Sequence, residues 1–319
     1  MMCCPPLSEL PAPPRGKKGW PWTEESPQLP DAMPNGQPWP KISIVTPSLN
    51  QGKFIEETIR SVLLQGYPNL EYILVDGGST DGTIDIIKKY EQWLSFWISE
   101  PDQGQSDAIN KGFSRSTGDI MAWLNSDDTY RTNALACAIS YFVENPECDI
   151  LYGEAWNTNE DGHRLRPCRY VTDPIARSYL LNLDPIVQPA TFWRRGLWFK
   201  IGKLDTNLVW GFDWDFYIRA HMQTKLHYVP EFLANYRLHD VMKTNTGGAK
   251  RHAELAKITR RYGGWWQPTN VLYQAARPRY LIESLTLKWP ERIRKPLVLF
   301  SAAPMFILSK LFAGKCMTK

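Results

Sequence analysis

The sequence predicts an α/β fold with a mostly parallel central sheet flanked by helices. Two observations carry this. Short β-branched runs alternate with stretches of helical periodicity from Ile42 to Tyr152. The polar motifs that stand out fall directly after strands, where open α/β sheets place their ligands.

The elements follow in order. Residues 1–40 contain Pro11, Pro13, Pro14, Pro21, Pro27, Pro30, Pro34, Pro38 and Pro40. Such a stretch sustains neither helix nor ladder hydrogen bonds and reads as an extended, partly disordered arm, with Trp20, Trp22 and Trp39 available to drape over the domain. The domain proper spans residues 41–265. Ile42–Thr46 is a strand stopped by Pro47, and Gly52–Leu64 places Ile55, Ile59, Val62 and Leu63 at helical spacing. Leu70–Val75 is a second strand, ended by Asp76-Gly77-Gly78; Thr83–Tyr90 is helical and Phe96–Ser99 a third strand. Ser106–Phe113 is a helix, Ile120–Leu124 a fourth strand, Thr132–Phe142 a helix and Asp149–Tyr152 a fifth strand. Beyond Tyr152 the alternation becomes irregular. Asp213–Ala220 and Ala249–Arg261 read as helices, and His227–Tyr236 as a late strand.

Residues 266–319 form a basic, amphipathic helical extension. Arg277, Arg279, Lys288, Arg292, Arg294 and Lys295 precede the largely apolar Leu297–Phe312. Two readings stand level: peripheral contact with a membrane surface, and a terminal helix packing on the domain. Pro304 and Lys310 argue against a spanning helix.

Composition sets the bounds. A 43% hydrophobic share supports a core, and 22% charged residues is ordinary. The net charge of +4 comes without a dense basic stripe interleaved with aromatics, so nucleic acid is not expected as a partner. Fourteen tryptophans suit aromatic cores, and also sugar contacts. The six cysteines (Cys3, Cys4, Cys137, Cys148, Cys168 and Cys316) show no zinc-knuckle or C-x-x-C spacing. A cytoplasmic setting is the default. Met1–Leu10 carries Pro5 and Pro6 and lacks the apolar core of a signal peptide.

Three strand ends carry chemistry. The first is Thr46-Pro47-Ser48-Leu49-Asn50. The second is Asp76-Gly77-Gly78-Ser79-Thr80-Asp81-Gly82, where one Asp faces a ligand hydroxyl or base and another caps the turn; we assign Asp76 to the ligand and Asp81 to the turn. The third is Asn125-Ser126-Asp127-Asp128. Adjacent carboxylates at the end of an apolar strand are costly unless a cation or strong donors compensate them. Hard divalent ions take oxygen ligands and bridge carboxylates to phosphates. The competing role is a cap for the Thr132–Phe142 helix, filled by Asp128 or Thr129.

The run from Ile42 to Asp128 resembles the inverting family 2 glycosyltransferases of the GT-A (Rossmann-like) fold. The matching pieces are SIVTPSLNQGKFIEETIRSVLLQGYPNLEYILVDGGSTDGT, DQGQSDAINKGF, GDIMAWLNSDD, QPATFWRR at Gln188–Arg195, GFDWDFYIR at Gly211–Arg219 and VPEFLANYRLH at Val229–His239. The resemblance implies a nucleoside-diphosphate-sugar donor, UDP-linked by family habit, and a glycan or glycolipid acceptor. It implies that Thr46, Pro47, Asp76 and Ser126 serve the nucleotide-sugar. Asp127, closing the family's D-x-D, would ligate Mn²⁺ or Mg²⁺, with His239 approaching the same metal or the diphosphate. Asn125 replaces the first Asp of that pattern. Asp213 matches the second residue of the family's Glu-Asp pair, where the base lies; Phe212 replaces its acidic partner, and Asp215 competes for the role. Gln188 and Trp193 are candidates to face the acceptor, with core packing an equal reading of Trp193.

The chemistry requires two separate carboxylates. Inverting transfer is an in-line displacement in which one carboxylate takes the acceptor proton. A cation held by another stabilises the departing diphosphate. Asp127 and Asp213 meet that need. Two other readings compete: a sugar nucleotidyltransferase, which usually has a glycine-rich basic loop where TPSLNQG offers only Lys53 nearby, and a nucleotide-sugar-binding pseudoenzyme, for which Asn125 leaves room.

Overall fold

The structure is a computed structural model that describes residues 4–168, 175–181 and 184–263. In chain order its elements are β1 (Ile42–Ser48), α1 (Ile55–Leu63), β2 (Leu70–Asp76), α2 (Thr83–Tyr90), β3 (Phe96–Ser99), α3 (Gln105–Arg115), β4 (Ile120–Trp123) and β5 (Thr129–Tyr130). Then come α4 (Ala134–Glu144), β6 (Ile150–Thr158), β7 (Arg164–Cys168), α5 (Arg177–Leu180), β8 (Thr191–Arg194), α6 (Arg195–Ile201), α7 (Phe212–His221), β9 (His227–Arg237) and α8 (Gly248–Arg261). The chain separates into two compact units: Met1–Pro174 with Ile186–Thr206 and Arg219–His239, and Ile175–Pro185 with Asn207–Ile218 and Asp240–Lys319.

The first unit holds the sheet, in the order β3-β2-β1-β4-β8-β6-β9-β5, with β7 paired to β6. The β3-β2-β1-β4 half is parallel, and every residue of β1 and β2 is buried. Strands covered on both faces read as continuous apolar runs, which is why they were visible in the sequence. Helix α3 lies close on β1: a Cβ at Gly112 would sit 2.5 Å from Val45 Cγ1. The other half is mixed. β8 runs antiparallel to both β4 and β6, while β9 runs parallel to β6 and antiparallel to β5. Strands β5, β7 and β8 are two to five residues long, too short to show a period of their own.

Much of the tryptophan content is structural. Trp123 and Trp193 are fully buried and meet edge to face at 5.2 Å, and Phe113 lies 5.6 Å from Trp193.

Residues 4–40 carry a single 3₁₀ turn at Leu7–Glu9 yet lie against the unit. Prolines lack N–H groups but keep carbonyls that need donors. Arg60, wholly buried on α1, supplies them: Nε donates to Pro21 O (3.0 Å), Nη1 to Pro11 O (2.8 Å) and Nη2 to Trp22 O (3.0 Å). Main-chain bonds from Cys4 N to Tyr67 O, Ser26 N to Leu64 O and Leu29 N to Gly66 O extend the seam. Trp20 donates to Tyr130 O, and Trp22 is buried.

In the second unit, Glu254 of α8 accepts main-chain N–H groups from Val209, Trp210 and Gly211 at 2.7–2.9 Å, fixing the chain that leads into α7. Among the described residues no helix is long and apolar enough to cross a membrane. The basic extension at 266–319, including Leu297–Phe312, lies outside the described residues.

At the amino edge of the parallel half, Glu71 is 7% exposed and accepts hydrogen bonds from Lys41 Nζ, Ser43 Oγ, Thr117 N and Thr117 Oγ1. Burial alone would raise its carboxyl; the bonds from Lys41, Ser43 and Thr117 outweigh that and bring it down to about 2. A lowered folded value stabilises above the unfolded pKa and is lost as pH falls through the folded one. Glu71→Gln is therefore expected to cost roughly 3 kcal/mol at pH 7 in chemical denaturation. The gap from the wild type should close between about pH 4.5 and pH 2.

Candidate active site

The carboxyl ends of β1, β2 and β4 lie along one edge, since Ser48 pairs with Asp76 and Val45 with Trp123. The loops after β1 and β2 are fastened to each other. Asn50, at φ 52°, donates from its N–H to Ser79 Oγ and accepts at Oδ1 from Thr80 N. Gln51 N donates to Thr83 Oγ1, and Gly52 N to Asp81 Oδ2. Asp81 also accepts from Thr83 N and Oγ1, the turn-capping role expected of it.

Asp76 is fully buried. Its Oδ2 accepts from Gly78 N (3.0 Å), Ser79 N (2.8 Å) and Ser99 Oγ (2.7 Å), and its Oδ1 from Ser79 Oγ. These bonds set the path of the glycine loop, where a Cβ on Gly77 would lie 2.6 Å from Asp102 Oδ2. Thr46 is buried and shares a hydrogen bond with the Tyr72 hydroxyl; Pro47 is buried within β1.

The loop after β4 meets the end of β9. His239 Nε2 lies 3.0 Å from Asp127 Oδ2, across 112 residues of chain. The His239 side chain is 1% exposed and that of Asp127 is 22% exposed. Ser126 is buried, with its carbonyl accepting from Thr58 Oγ1. Asp128 is 2% exposed and accepts from Arg237 N at Oδ1. It does not cap α4, whose N-cap is Asn133 in a left-handed conformation. Burial, and next the charge of Asp127, push the Asp128 carboxyl well above the usual carboxylate range. Asp128 is thus sealed in, while Asp127 keeps the partly open carboxyl of the pair.

Asp127 and His239 are within hydrogen-bond distance of each other, and a carboxylate with an imidazole is also a donor set for a divalent transition-metal ion such as Mn²⁺. At bond lengths of about 2.1 Å, neighbouring ligands of an octahedral ion lie about 3.0 Å apart, the spacing these two atoms have. Among the described residues no three His, Cys, Asp or Glu side chains cluster to hold a metal by themselves. Two protein ligands suit an ion that completes its shell with water and substrate phosphates.

Asn125, in the first position of the N-x-D run, sits in a chain of amides. Gln105 Nε2 donates to Asn125 Oδ1 (2.6 Å), Asn125 Nδ2 to Gln188 Oε1 (3.0 Å), and Gln188 Nε2 to Trp123 O (2.8 Å). The middle member must both accept and donate, which a carboxylate cannot do. Gln188 is 8% exposed and Trp193 fully buried, so both pack inside the unit.

The second unit carries Asp213 and Asp215 in the first turn of α7. Burial lifts the Asp213 carboxyl to about 6, against the Trp214 N–H bond and the charges of Lys243 and Arg251. Asp215 is 1% exposed, ion-paired with Arg261 at 2.9 Å, and accepts from the Tyr262 hydroxyl.

Of the residues singled out in the sequence, Asp127 and His239 are brought into contact by the fold. The tie from Arg237 to Asp128 and the link between the Gln105 and Asn125 amides have no spacing pattern in the sequence that announces them. The clue was present in N-S-D itself, since an Asn where an Asp is usual asks for a donor's job.

A family model described as Glycosyl transferase family 2 matches residues 43–215. An uncharacterized glycosyltransferase of Rickettsia typhi is 28% identical over 213 residues, 65% of this chain and 67% of that relative. A PGL/p-HBAD biosynthesis glycosyltransferase of Mycobacterium bovis is 30% identical over 211 residues, 62% of this chain and 77% of the relative. Among solved structures, residues 1–349 of S. aureus TarS in complex with UDP-GlcNAc superpose at TM-score 0.58 and 15% identity, over 84% of this chain and 81% of that one. The chain spans only 54% of the longer TarS structure. The mannosyltransferase PcManGT from Pyrobaculum calidifontis, in complex with GDP-Man and Mn²⁺, gives TM-score 0.52 and 17% identity, over 87% and 79%.

The amide chain makes a prediction. Asn125→Asp removes the only donor between Gln105 and Gln188 in that relay and is expected to cost about 1–3 kcal/mol in chemical denaturation at pH 8. The loss should shrink as pH falls through the introduced carboxyl's own titration, at about pH 4 for an ordinary Asp, where it regains a proton to donate. A loss that stays equal from pH 8 to below that titration would contradict the relay.

Proposed function

Because the chain belongs to glycosyl transferase family 2, we propose that it is an inverting enzyme moving a sugar from a nucleoside-diphosphate donor, UDP-linked by preference, to a hydroxyl of a glycan or glycolipid. The observation that carries this is the Asp127–His239 contact at the carboxyl edge of the sheet. The donor complexes of the structural neighbours, with UDP-GlcNAc in one and GDP-Man in the other, support the substrate class.

Thr46, Pro47, Asp76 and Ser126 are assigned to the nucleotide-sugar. Asp76 acts by shaping the Gly78–Ser79 backbone, whose path it fixes. Asp127 and His239 are assigned to Mn²⁺ or Mg²⁺, which when bound supplies Lewis acidity for the departing diphosphate. The Mn²⁺ complex of one neighbour favours this.

Asp213 is assigned as the base that takes the acceptor proton. A base works best with a pKa near the working pH, and burial lifts Asp213 to about 6. Asp215 is the weaker candidate, because Arg261 and the Tyr262 hydroxyl already occupy its carboxylate. Gln188 and Trp193 receive no acceptor contact in this assignment; their burial suits support of the wall behind Asn125.

Purified protein with Mn²⁺ is expected to release nucleoside diphosphate from one member of a nucleotide-sugar panel. Asp127→Ala and Asp213→Asn should each lower the rate by about 100-fold or more, on the scale of losing a general base or a charge-stabilising group. Donor binding without turnover on any acceptor would instead establish a nucleotide-sugar-binding protein. The base assignment adds a pH signature. Asp213 must be deprotonated to act, so kcat/KM should fall about tenfold per pH unit below about 6 and level off above it.

A further inference from the structure

We propose that Arg237 is a positioning residue that sets the Asp127–His239 contact and thereby tunes metal affinity. The inference rests on the assignment of those two residues to a divalent ion.

Arg237 lies two residues before His239, and its side chain is 2% exposed. A buried guanidinium is costly and persists where its donors are matched. Here each face of the fork has a separate partner. Nε donates to Asp127 O at 2.8 Å, Nη1 to Glu160 O at 2.7 Å, and Nη2 pairs with Glu57 Oε2 at 3.1 Å. The main chain adds a fourth tie, Arg237 N donating to Asp128 Oδ1. One residue therefore grips Asp127 by its carbonyl and Asp128 by its carboxyl, while carrying the strand that delivers His239.

Phe54 braces the same geometry. Its ring lies 5.1 Å from the Arg237 guanidinium and 4.8 Å from the His239 imidazole. Arg237 meets neither Oδ2 of Asp127 nor the imidazole nitrogen in these contacts, so beyond its charge, which lysine would keep, it acts on an ion through the placement of the two ligands. Such outer supports govern metal affinity by orienting the groups that bind.

Lysine at this position keeps the charge but cannot fork to three partners. The test titrates Mn²⁺ into the full chain calorimetrically, alone and with uridine or guanosine diphosphate, alongside thermal melting of each variant. Arg237→Lys is expected to stay folded and to bind Mn²⁺ about tenfold more weakly, while Asp127→Ala loses the ion. Affinity within about twofold of wild type for a folded Arg237→Lys, with Asp127→Ala still defective, overturns this inference and leaves the assignment of Asp127 intact. Wild type and Asp127→Ala binding alike would instead overturn that assignment, and this inference with it. Should Arg237→Lys fail to fold, Glu57→Gln, which loosens only the Nη2 arm, is expected to weaken Mn²⁺ about threefold; unchanged affinity there also overturns the proposal.

Discussion

Neighbouring carboxyl groups at the end of a buried strand repel each other, and the surroundings of Asp127 and Asp128 treat them differently, sealing one and leaving the other partly open. Asp128 is sealed at 2% exposure and pushed toward its neutral form by burial and by its neighbour's charge. Asp127 keeps a partly open carboxylate facing His239. Arg237 sits between, balanced by Glu57, with its donors spent on backbone carbonyls and on that glutamate. The result is one partly open carboxyl set beside the His239 imidazole.

That arrangement depends on the mixed half of the sheet. Thr129 and Tyr130 pair antiparallel with Asn235 and Ala234, so the chain leaving β4 runs back along the end of β9. β9 is itself held parallel to β6, through Arg237 opposite Thr158. The parallel half supplies the two fastened loops after β1 and β2; the mixed half supplies the histidine. Neither loop nor histidine is placed by local sequence alone, and a slip of one residue in β9 would turn its side chains to the other face and displace the segment that carries His239.

The parallel half was legible because its strands are buried on both faces and its helices keep apolar spacing; Thr83–Tyr90 and Phe96–Ser99 have the ends read from sequence. Strands β5 and β8 were not, since Thr129–Tyr130 and Thr191–Arg194 are defined by partners far away rather than by any pattern of their own. Asp127 and His239 were found through the likeness to a family, not through spacing, because 112 residues separate them. Asp76 shows what reading residues singly leaves out: its place after a strand suggested a ligand contact, and the structure adds that its oxygens also hold its own loop and Ser99. The proline-rich arm looked able to stay partly disordered because no local ladder can form there, yet its carbonyls find their donors on Arg60. The amide chain through Asn125 joins three parts of the chain and leaves only one trace, an Asn where the family has Asp.

The central claim is that Asp127 and His239 hold a divalent ion. The chain has five histidines, so the most direct measurement is NMR of histidine-labelled protein titrated with paramagnetic Mn²⁺ in the presence of nucleoside diphosphate. The account predicts that the His239 imidazole signals broaden first and at substoichiometric ion, and that Asp127→Ala abolishes the effect. Selective broadening of His163, His221, His227 or His252 with His239 left sharp would contradict it.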